Sequence, residues 1–239
     1  MFYFLGPVLL SYNFFLIAAA VIPAVYLMVK IYQLDKLEKE SPTLLFALAR
    51  AGILSSLIAM VVERILSGFL DLLVTDAGLY QVLLYFVVVA ISEEGAKYIL
   101  LKRTSWNSPE FNCQYDGVIY AVFVSLGFAL WENISYVMHY GVSVAIIRAV
   151  TAIPGHTCFG VFMGVYYGIA KKLASRGTND KKYRILAVAV PVLLHGAYDY
   201  IASIQSGTIW FIAFILALFI ASYYLITKVS REDRFIRNW

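Results

Sequence analysis

The sequence predicts an all-α polytopic membrane protein with about seven spanning helices. Of its 239 residues 62% are hydrophobic and only 14% are charged, and the mean hydropathy is +0.77. Soluble proteins carry about 25% charged residues, so this composition is typical of a chain that lies in a bilayer. Apolar runs of about 20 residues also recur along the chain, and such a run crosses a hydrocarbon core of roughly 30 Å as a helix.

Seven apolar runs are long enough to span the bilayer. Their approximate bounds are residues 8–28, 44–62, 79–101, 117–138, 142–170, 185–204 and 208–227. The stretch 65–73 is apolar but too short to cross alone, so it either continues the second helix or forms an interfacial turn, and six or eight spans remain open. The first run has no cation before it and no small-residue cleavage site after it, which indicates a retained helix rather than a signal peptide.

The chain has no linker, low-complexity tract or strong repeat, which predicts a single membrane domain over residues 1–239. We expect a four-helix catalytic core within about residues 79–204, because the polar motifs described below fall there. The remaining helices are predicted to be accessory, at about residues 8–29, 44–73 and 208–227.

Lysine and arginine are distributed unevenly between alternate loops. About 15 of them fall on one side of the predicted membrane, and the other side has only Arg64. Because cytoplasmic loops retain cations, we expect the N-terminus outside and the C-terminus in the cytoplasm. The net charge of +4 is then a consequence of topology, and no nucleic-acid partner is expected, since the cations are not gathered on one surface with base-stacking aromatics. The oligomeric state cannot be predicted from these features.

Ionisable side chains within spans are the sharpest functional signal, because each costs at least about 2.5 kcal/mol at a helix centre. In the third span Glu93 and Lys97 are four residues apart on one face, and Glu94 lies three residues before the same lysine. This pattern is typical of a structural ion pair. Two glutamates beside one lysine, however, leave one carboxylate without a counter-charge, and such a group is suited to act as a general base.

Glu132 in the fourth span has no cation within a turn, so its partner must come from another helix.

The fifth span carries Arg148 and then Pro154 two residues before His156. Proline removes a backbone donor and kinks a helix, so His156 is predicted to sit beside a distortion. On its own His156 could equally be a packing histidine, and Arg148 is expected to hold a carboxylate in place.

A row of glycines at four-residue spacing follows and permits close approach of a neighbouring helix. These glycines are Gly160, Gly164 and Gly168.

In the sixth span His195 and Asp199 are four residues apart on one face. An aspartate one turn from a histidine can fix its tautomer and raise its basicity, although the pair could also be a proton relay or a structural bond. Two of the three histidines of the chain, His156 and His195, thus lie within the four consecutive spans that carry the ionisable residues. This clustering indicates a functional site at membrane depth.

Three short motifs, in order on successive spans, resemble the PrsW family of bacterial membrane proteases. They are E-E-x-x-K at Glu93 to Lys97, F-x-x-x-E at Phe128 to Glu132, and H-x-x-x-D at His195 to Asp199. The flanking D-G at Asp116, E-N at Glu132 and P-G-H ending at His156 are similar to that family as well. The resemblance covers residues 93–199, and the outer helices are similar in hydropathy alone. The motif layout is also similar to that of the CAAX prenyl-peptidase group.

The resemblance implies hydrolysis of a membrane-tethered peptide. In the PrsW family the substrate is a single-span anti-sigma factor, which is cut on its extracytoplasmic side in the first step of a cascade that releases a stress sigma factor. The resemblance therefore implies a multi-pass protein of the bacterial cytoplasmic membrane, with the lipid bilayer and an anti-sigma factor as partners.

The working hypothesis is that Glu93 or Glu94 activates a water for attack on the scissile carbonyl. His156 and His195 would hydrogen-bond that water or the developing oxyanion. The full set of predicted catalytic residues is Glu93, Glu94, Glu132, His156, His195 and Asp199, with Lys97 and Arg148 as supporting charges. In this set Asp199 orients His195, and Glu132 either shares the proton load or ligates a metal.

Participation of a metal remains open at this point. Two histidines and one or two glutamates could form a zinc site with an open water position, although the H-E-x-x-H motif is absent. The candidate ligands are Glu93, Glu132, His156 and His195. A metal-free glutamate mechanism, which needs no cofactor, is slightly favoured.

Two other classes of protein compete with a peptidase. A proton-coupled transporter or channel also needs buried Glu, His and Asp, but the sequence shows no pair of inverted repeats. A non-catalytic haem or quinone protein could use His156 and His195 as ligands.

Overall fold

The computed structural model describes residues 5–236, except for the side chains of residues 5–13, 15 and 142. The described chain is built of helices. They are α1 Leu5–Gln33, α2 Pro42–Leu73, α3 Ala77–Leu83, a π-helical segment Leu84–Val89, α4 Ala90–Ser105, α5 Asp116–Tyr140, α6 Val142–Val150, α7 Ala152–Ser175, α8 Lys181–Ser203 and α9 Thr208–Arg231. The predicted all-α architecture is therefore confirmed. The predicted position of the N-terminus itself falls on residues outside the described range.

Six helical stretches are long and apolar enough to cross a membrane. They coincide with six of the seven predicted spans, and the stretch at residues 143–175 combines α6 and α7. The remaining predicted span, at residues 79–101, is divided into α3, the π-helical segment and α4, which follow one another without a break from Ala77 to Ser105. The chain is thus a multi-pass membrane protein with the expected number of about seven spans.

Helix α2 continues beyond the apolar span predicted at residues 44–62 and covers the whole accessory helix predicted at residues 44–73. It begins at Pro42, after Ser41 whose hydroxyl accepts a hydrogen bond from the Leu44 backbone N–H at 3.2 Å, and it ends at Leu73. The apolar stretch 65–73 is therefore part of this helix. Arg64 lies within the helix rather than in an outer loop, so the loop between α2 and α3 carries no lysine or arginine.

The helix that was predicted as one span over residues 142–170 is broken at Thr151, between α6 and α7. Pro154 accounts for the break, because it has no backbone N–H and its ring would clash with the carbonyl of the residue four positions earlier, Val150. The chain therefore restarts as α7 with Pro154 in its first turn and His156 immediately after it. Gly141, at φ 84°, makes the tight connection from α5 into α6.

Helix α5 lies at the centre of the bundle and is packed backbone to backbone against α2 and α7. A Cβ atom on Gly52 of α2 would lie 2.1 Å from the Val124 carbonyl oxygen of α5, and one on Gly164 of α7 would lie 2.5 Å from the Gly117 carbonyl oxygen. Gly160 and Gly168 are similarly close to α5. The predicted close approach along the glycine row is confirmed, and it brings the polar side chains of these helices within reach of one another.

Substitution of Gly164 by alanine is expected to destabilise the protein by about 1–3 kcal/mol, because the new methyl group overlaps the backbone of α5. Thermal unfolding of the detergent-solubilised protein measures the effect. Gly68→Ala in α2 is the matched control, since its Cβ would meet nothing within 4 Å. Equal melting temperatures for the two variants would show that the α5–α7 contact is looser than described.

Candidate active site

A cavity of about 390 Å³ opens between α2, the π-helical segment with α4, α5, α6 with α7, and α8. Its size is that of a typical ligand or substrate pocket. Apolar side chains, among them Met60, Tyr85 and Trp131, form part of the wall. The ionisable residues of the wall are Glu63, Glu93, Glu132, Arg148, His156, His195 and Asp199.

Lys97 lies at the base of this cavity with its ammonium group fully buried. Its Nζ atom is 2.7 Å from Glu94 Oε1 and 3.2 Å from Glu93 Oε2, and it is 3.3 Å from Nδ1 of His156 in α7. It also lies over the ring of Phe128 in α5, 3.8 Å from the ring centroid. The pairing of Lys97 with both glutamates, which the i,i+3 and i,i+4 spacing predicts, is present in the structure. The contacts with α5 and α7 are additional.

His156 links Lys97 to Glu132. Lysine can only donate hydrogen bonds, so Nδ1 of His156 must accept from Lys97, which leaves its Nε2–H to donate to Glu132 Oε2 at 2.8 Å. Arg148, at the end of α6, lies 2.9 Å from the same carboxylate oxygen and gives Glu132 the counter-charge that its own helix lacks. The arrangement fixes one tautomer of a neutral His156.

Arg148 is in turn held by Asn133, which is fully buried. The Nε of Arg148 donates to Asn133 Oδ1 at 2.9 Å, and the Asn133 side-chain amide donates to the carbonyl of Ala20 in α1 at 3.1 Å. The expectation that Arg148 holds a carboxylate in place agrees with this geometry. Helix α1, although remote from the cavity, therefore contributes to the position of Glu132.

His195 lies between two carboxylates. Its Nδ1 is 2.9 Å from Glu94 Oε1, and its Nε2 is 3.3 Å from Asp199 Oδ2, one turn further along α8. Because ionised carboxylates accept and cannot donate, both ring nitrogens are placed to carry protons, and His195 is placed as an imidazolium. Its ring stacks on Phe159, with the centroids 4.8 Å apart.

The two adjacent glutamates differ in their access to the cavity. Glu93 lines the cavity wall. Glu94 is fully buried beneath it, with Oε1 shared by Lys97 and His195, and it does not line the cavity. A substrate or water molecule in the cavity can therefore reach Glu93 but not Glu94.

The boundaries predicted from the sequence place Glu93 nearer the cytoplasmic end of its helix and Glu132 nearer the outer end. The structure brings both to the same cavity. All six predicted catalytic residues and both supporting charges lie in or directly beneath the cavity.

Glu63 is a cavity residue that the sequence analysis missed. It belongs to α2, a helix predicted to be accessory, and it lines the same wall as Glu93 and Glu132. Glu63 falls within the accessory helix predicted at residues 44–73, but the span itself was counted only to residue 62, so Glu63 was not included among the ionisable side chains of the spans.

Three of these residues are arranged so that they could ligate a metal ion. Glu93, Glu94 and His156 each present one ligand atom, and the three atoms lie within 4.8 Å of one another. Carboxylate and imidazole are zinc ligands, and the second oxygen of Glu94, Oε2, is buried without a hydrogen-bond partner in the described part of the chain. The donor set therefore fits a divalent cation. The ammonium of Lys97 lies among the same atoms, so it must move aside when a cation binds.

This group differs from the metal site considered from the sequence. It contains Glu93 and His156 of the four candidates and adds Glu94. Glu132 and His195 lie outside it in the described structure, because Glu132 is engaged by Arg148 and His156, and His195 by Glu94 and Asp199.

Comparison with known proteins places this site in a family context. The model of the PrsW family of intramembrane metalloproteases matches residues 40–226. The chain belongs to the PrsW family of intramembrane proteases. Three similar relatives each carry the name Protease PrsW: those of Oceanobacillus iheyensis (31% identity), Halalkalibacterium halodurans (33%) and Bacillus subtilis (30%). The alignments cover 91%, 92% and 83% of this chain and 97%, 100% and 87% of those proteins, respectively.

The PrsW match confirms the resemblance inferred from the three motifs and extends it to most of the outer helices. It also supports a peptidase rather than the competing classes. No solved structure gives a significant match to the chain.

Replacement of Lys97 by methionine is expected to destabilise the protein by about 3–5 kcal/mol, because Glu93 and Glu94 lose the cation that they share and only His195 remains beside them. The Glu94→Gln/Lys97→Met double variant should lose less stability than the two single variants added together, since the unpaired charge is removed with its partner. Thermal unfolding in detergent measures all three, with Lys102→Met at the end of the same helix as the control. Additive losses would mean that the pair contributes no coupling.

Proposed function

We propose that this chain is an intramembrane peptidase of the bacterial cytoplasmic membrane that makes the first, extracytoplasmic cut in a membrane-anchored anti-sigma factor. The observation that carries the proposal is the cavity at membrane depth in which Glu93, His156 and His195 converge from three different helices. The match to the PrsW family and the protease names of its relatives support the reaction. The choice of a single-span anti-sigma factor as substrate rests on the resemblance to that family.

Glu93 is the general base of the proposed reaction. It is the one of the two adjacent glutamates that lines the cavity, and it shares Lys97 with Glu94 at a longer distance, 3.2 Å against 2.7 Å. Glu93 takes a proton from a water molecule as the water oxygen attacks the scissile carbonyl carbon. When the tetrahedral intermediate breaks its C–N bond, the same proton passes to the leaving amine.

His195 is the donor that stabilises the oxyanion. It lines the cavity beside Glu93, with its Nδ1 3.8 Å from Glu93 Oε2, and its protonated ring supplies positive charge where the carbonyl oxygen becomes negative. Glu94 and Asp199 position this ring from its two nitrogens. Exclusion of bulk water by the surrounding helices strengthens each of these interactions.

Glu132 and Arg148 position His156 rather than act on the substrate. Glu132 Oε2 accepts a hydrogen bond from His156 and forms an ion pair with Arg148, so its negative charge is already committed. The neutral His156, with Nδ1 as an acceptor, is held at the centre of the site next to Lys97. Because His156 belongs to the group of possible metal ligands and His195 does not, His156 is the histidine that would bind a metal.

A zinc ion fits the ligand atoms of Glu93, Glu94 and His156. Glu93 would then ligate the ion rather than act as the free base, so this mechanism is an alternative to the metal-free one. The family description as a metalloprotease supports its presence. When bound, such an ion would lower the pKa of a coordinated water and polarise the scissile carbonyl. The residues of this chain would then hold and orient the substrate around it, with Lys97 released from the glutamates.

Replacement of Glu93 by glutamine is expected to reduce cleavage of a co-expressed single-span anti-sigma factor at least about 100-fold, because an amide cannot accept the proton of the attacking water. Immunoblotting of a tagged substrate measures the cut product. Glu232→Gln, at an exposed position after α9, is the matched control and should cleave normally. Unchanged cleavage by Glu93→Gln would defeat the assignment of the base, and unchanged cleavage after both Glu93 and Glu94 are replaced by alanine would defeat the peptidase proposal.

Metal analysis of the purified protein tests the zinc proposal. The Glu93→Gln/His156→Ala variant is expected to contain about one equivalent of zinc less per chain than the parent protein, because two of the three ligands are removed. Asp199→Asn, which changes a residue outside the ligand group, should retain the metal. Equal zinc contents in the parent and in the double variant, with cleavage that survives chelation, would instead support the metal-free glutamate mechanism.

A further inference from the structure

A second group of acidic residues lies at the opposite end of α5 from Glu132. The loop before α5 contributes Cys113, the first residue of the helix is Asp116, and the segment after α9 contributes Asp233. One ligand atom of each residue lies within 4.8 Å of the others. On the predicted topology this group faces the cytoplasm, and no residue of it belongs to the cavity of the candidate active site.

Asp35, in the loop after α1, is close enough to the same group to influence it electrostatically. It is only 4% exposed, and its Oδ2 atom is buried without a hydrogen-bond partner in the described part of the chain, while Oδ1 accepts from the Leu37 backbone N–H. Its charge acts on both Cys113 and Asp233. An unpartnered buried carboxylate oxygen costs free energy unless a cation or a donor satisfies it. The second oxygen of Asp233, Oδ2, is likewise buried without such a partner in the described structure.

The charge balance of the group is negative. Burial, reinforced by Asp116, Asp233 and Asp35, raises the pKa of the Cys113 thiol. Burial also raises the pKa of Asp35 despite the opposing charge of Lys39. The neighbouring Glu40 is only 4% exposed and accepts a hydrogen bond from the Tyr120 hydroxyl at 2.6 Å, and burial raises its pKa to about 7. These shifts indicate carboxylates and a thiol packed together with too little positive charge among them.

We propose that Cys113, Asp116 and Asp233, with the negative charge of Asp35 nearby, bind a zinc ion that is separate from the catalytic site. Zinc accepts a mixed set of one thiolate and several carboxylates in a four-coordinate site, whereas calcium and magnesium take oxygen ligands only. When zinc binds, the S–H bond of Cys113 ionises, its proton leaves to solvent, and the sulfur forms the bond to the metal. The thiolate therefore selects zinc among the divalent cations available to the site.

The role of this ion is to fasten the segment after α9 to the loop before α5. Two backbone contacts already join them: the Tyr115 N–H donates to Asp233 Oδ1 at 3.0 Å, and the Ile236 N–H donates to the Asn112 carbonyl at 2.6 Å. Asp116 meanwhile accepts from the backbone N–H groups of Asn112 and Cys113, which holds the loop in shape. A metal ion shared by these segments fixes the start of α5, and α5 carries Glu132 at its other end.

Cobalt substitution of the full-length protein in detergent tests this site independently of the catalytic one. Co²⁺ bound to a thiolate gives a charge-transfer absorption band in the near ultraviolet, and the candidate active site contains no cysteine that could produce it. We expect the band to saturate at one equivalent of cobalt per chain and to disappear on addition of zinc. Cys113→Ser should abolish the band, and Asp233→Asn should weaken cobalt binding at least about tenfold.

Two controls make the outcome specific. Cys158→Ser, at the other cysteine, should keep the full band because Cys158 lies apart from the acidic group, in α7 near Ser222. Glu93→Gln/His156→Ala should also keep the band while it loses cleavage, so failure of this proposal is distinguishable from failure of the proposed function. The proposal is overturned if the parent protein gives no thiolate–cobalt band, or if the band persists in Cys113→Ser. Should that variant fail to fold, the isosteric Asp233→Asn variant and a zinc-dependent rise in the melting temperature of the Glu93→Gln/His156→Ala variant, which lacks two of the three active-site ligands, decide the question.

Discussion

The buried ammonium group of Lys97 is the constraint around which the membrane core is organised. A charge without solvent access must be paired, and Lys97 finds its partners on three elements: Glu93 and Glu94 on its own helix, His156 on α7 and the ring of Phe128 on α5. Rotation of α4 by one residue position would carry Lys97 away from His156 and Phe128, and Glu94 away from His195. These contacts between helices therefore fix the rotational setting of the helix that bears the proposed base.

From Lys97 the polar contacts continue in two directions. One path leads through Glu94 and His195 to Asp199, and the other through His156 and Glu132 to Arg148. The second path ends at Asn133, which donates to the backbone of α1. Because each member satisfies its neighbour, removal of one leaves another buried and unpaired, so stability and activity are coupled throughout the network. The side chains of the site are therefore fixed in position before the substrate binds, and a general base and an oxyanion donor require such preorganisation.

The sequence predicts well what depends on a single helix. The pairs Glu93–Lys97 and His195–Asp199 follow from the four-residue spacing, and the interruption before His156 follows from Pro154, although the break falls at Thr151 rather than at the proline itself. Contacts between helices were beyond prediction, since spacing along one helix does not tell which helix faces it. His156 with Glu132, and His195 with Glu94, are such contacts. Glu63 was missed because its helix was predicted to be accessory and its apolar span was counted only to residue 62, where a glutamate and an arginine interrupt the apolar run.

The two ends of α5 connect the site to the rest of the fold. Near one end Glu132 is set by Arg148 and His156, and at the other end Asp116 belongs to the buried acidic group with Cys113. Between them the helix is packed against α2 and α7 at glycines, where no side chain separates the backbones and sliding is opposed by direct contact. A shift of the cytoplasmic end of α5 must therefore be transmitted along a rigid helix to Glu132. A cation bound by the acidic group would hold that end of α5 in place. The segment after α9, which contributes Asp233 to the group, would thereby influence the position of Glu132 in the cavity.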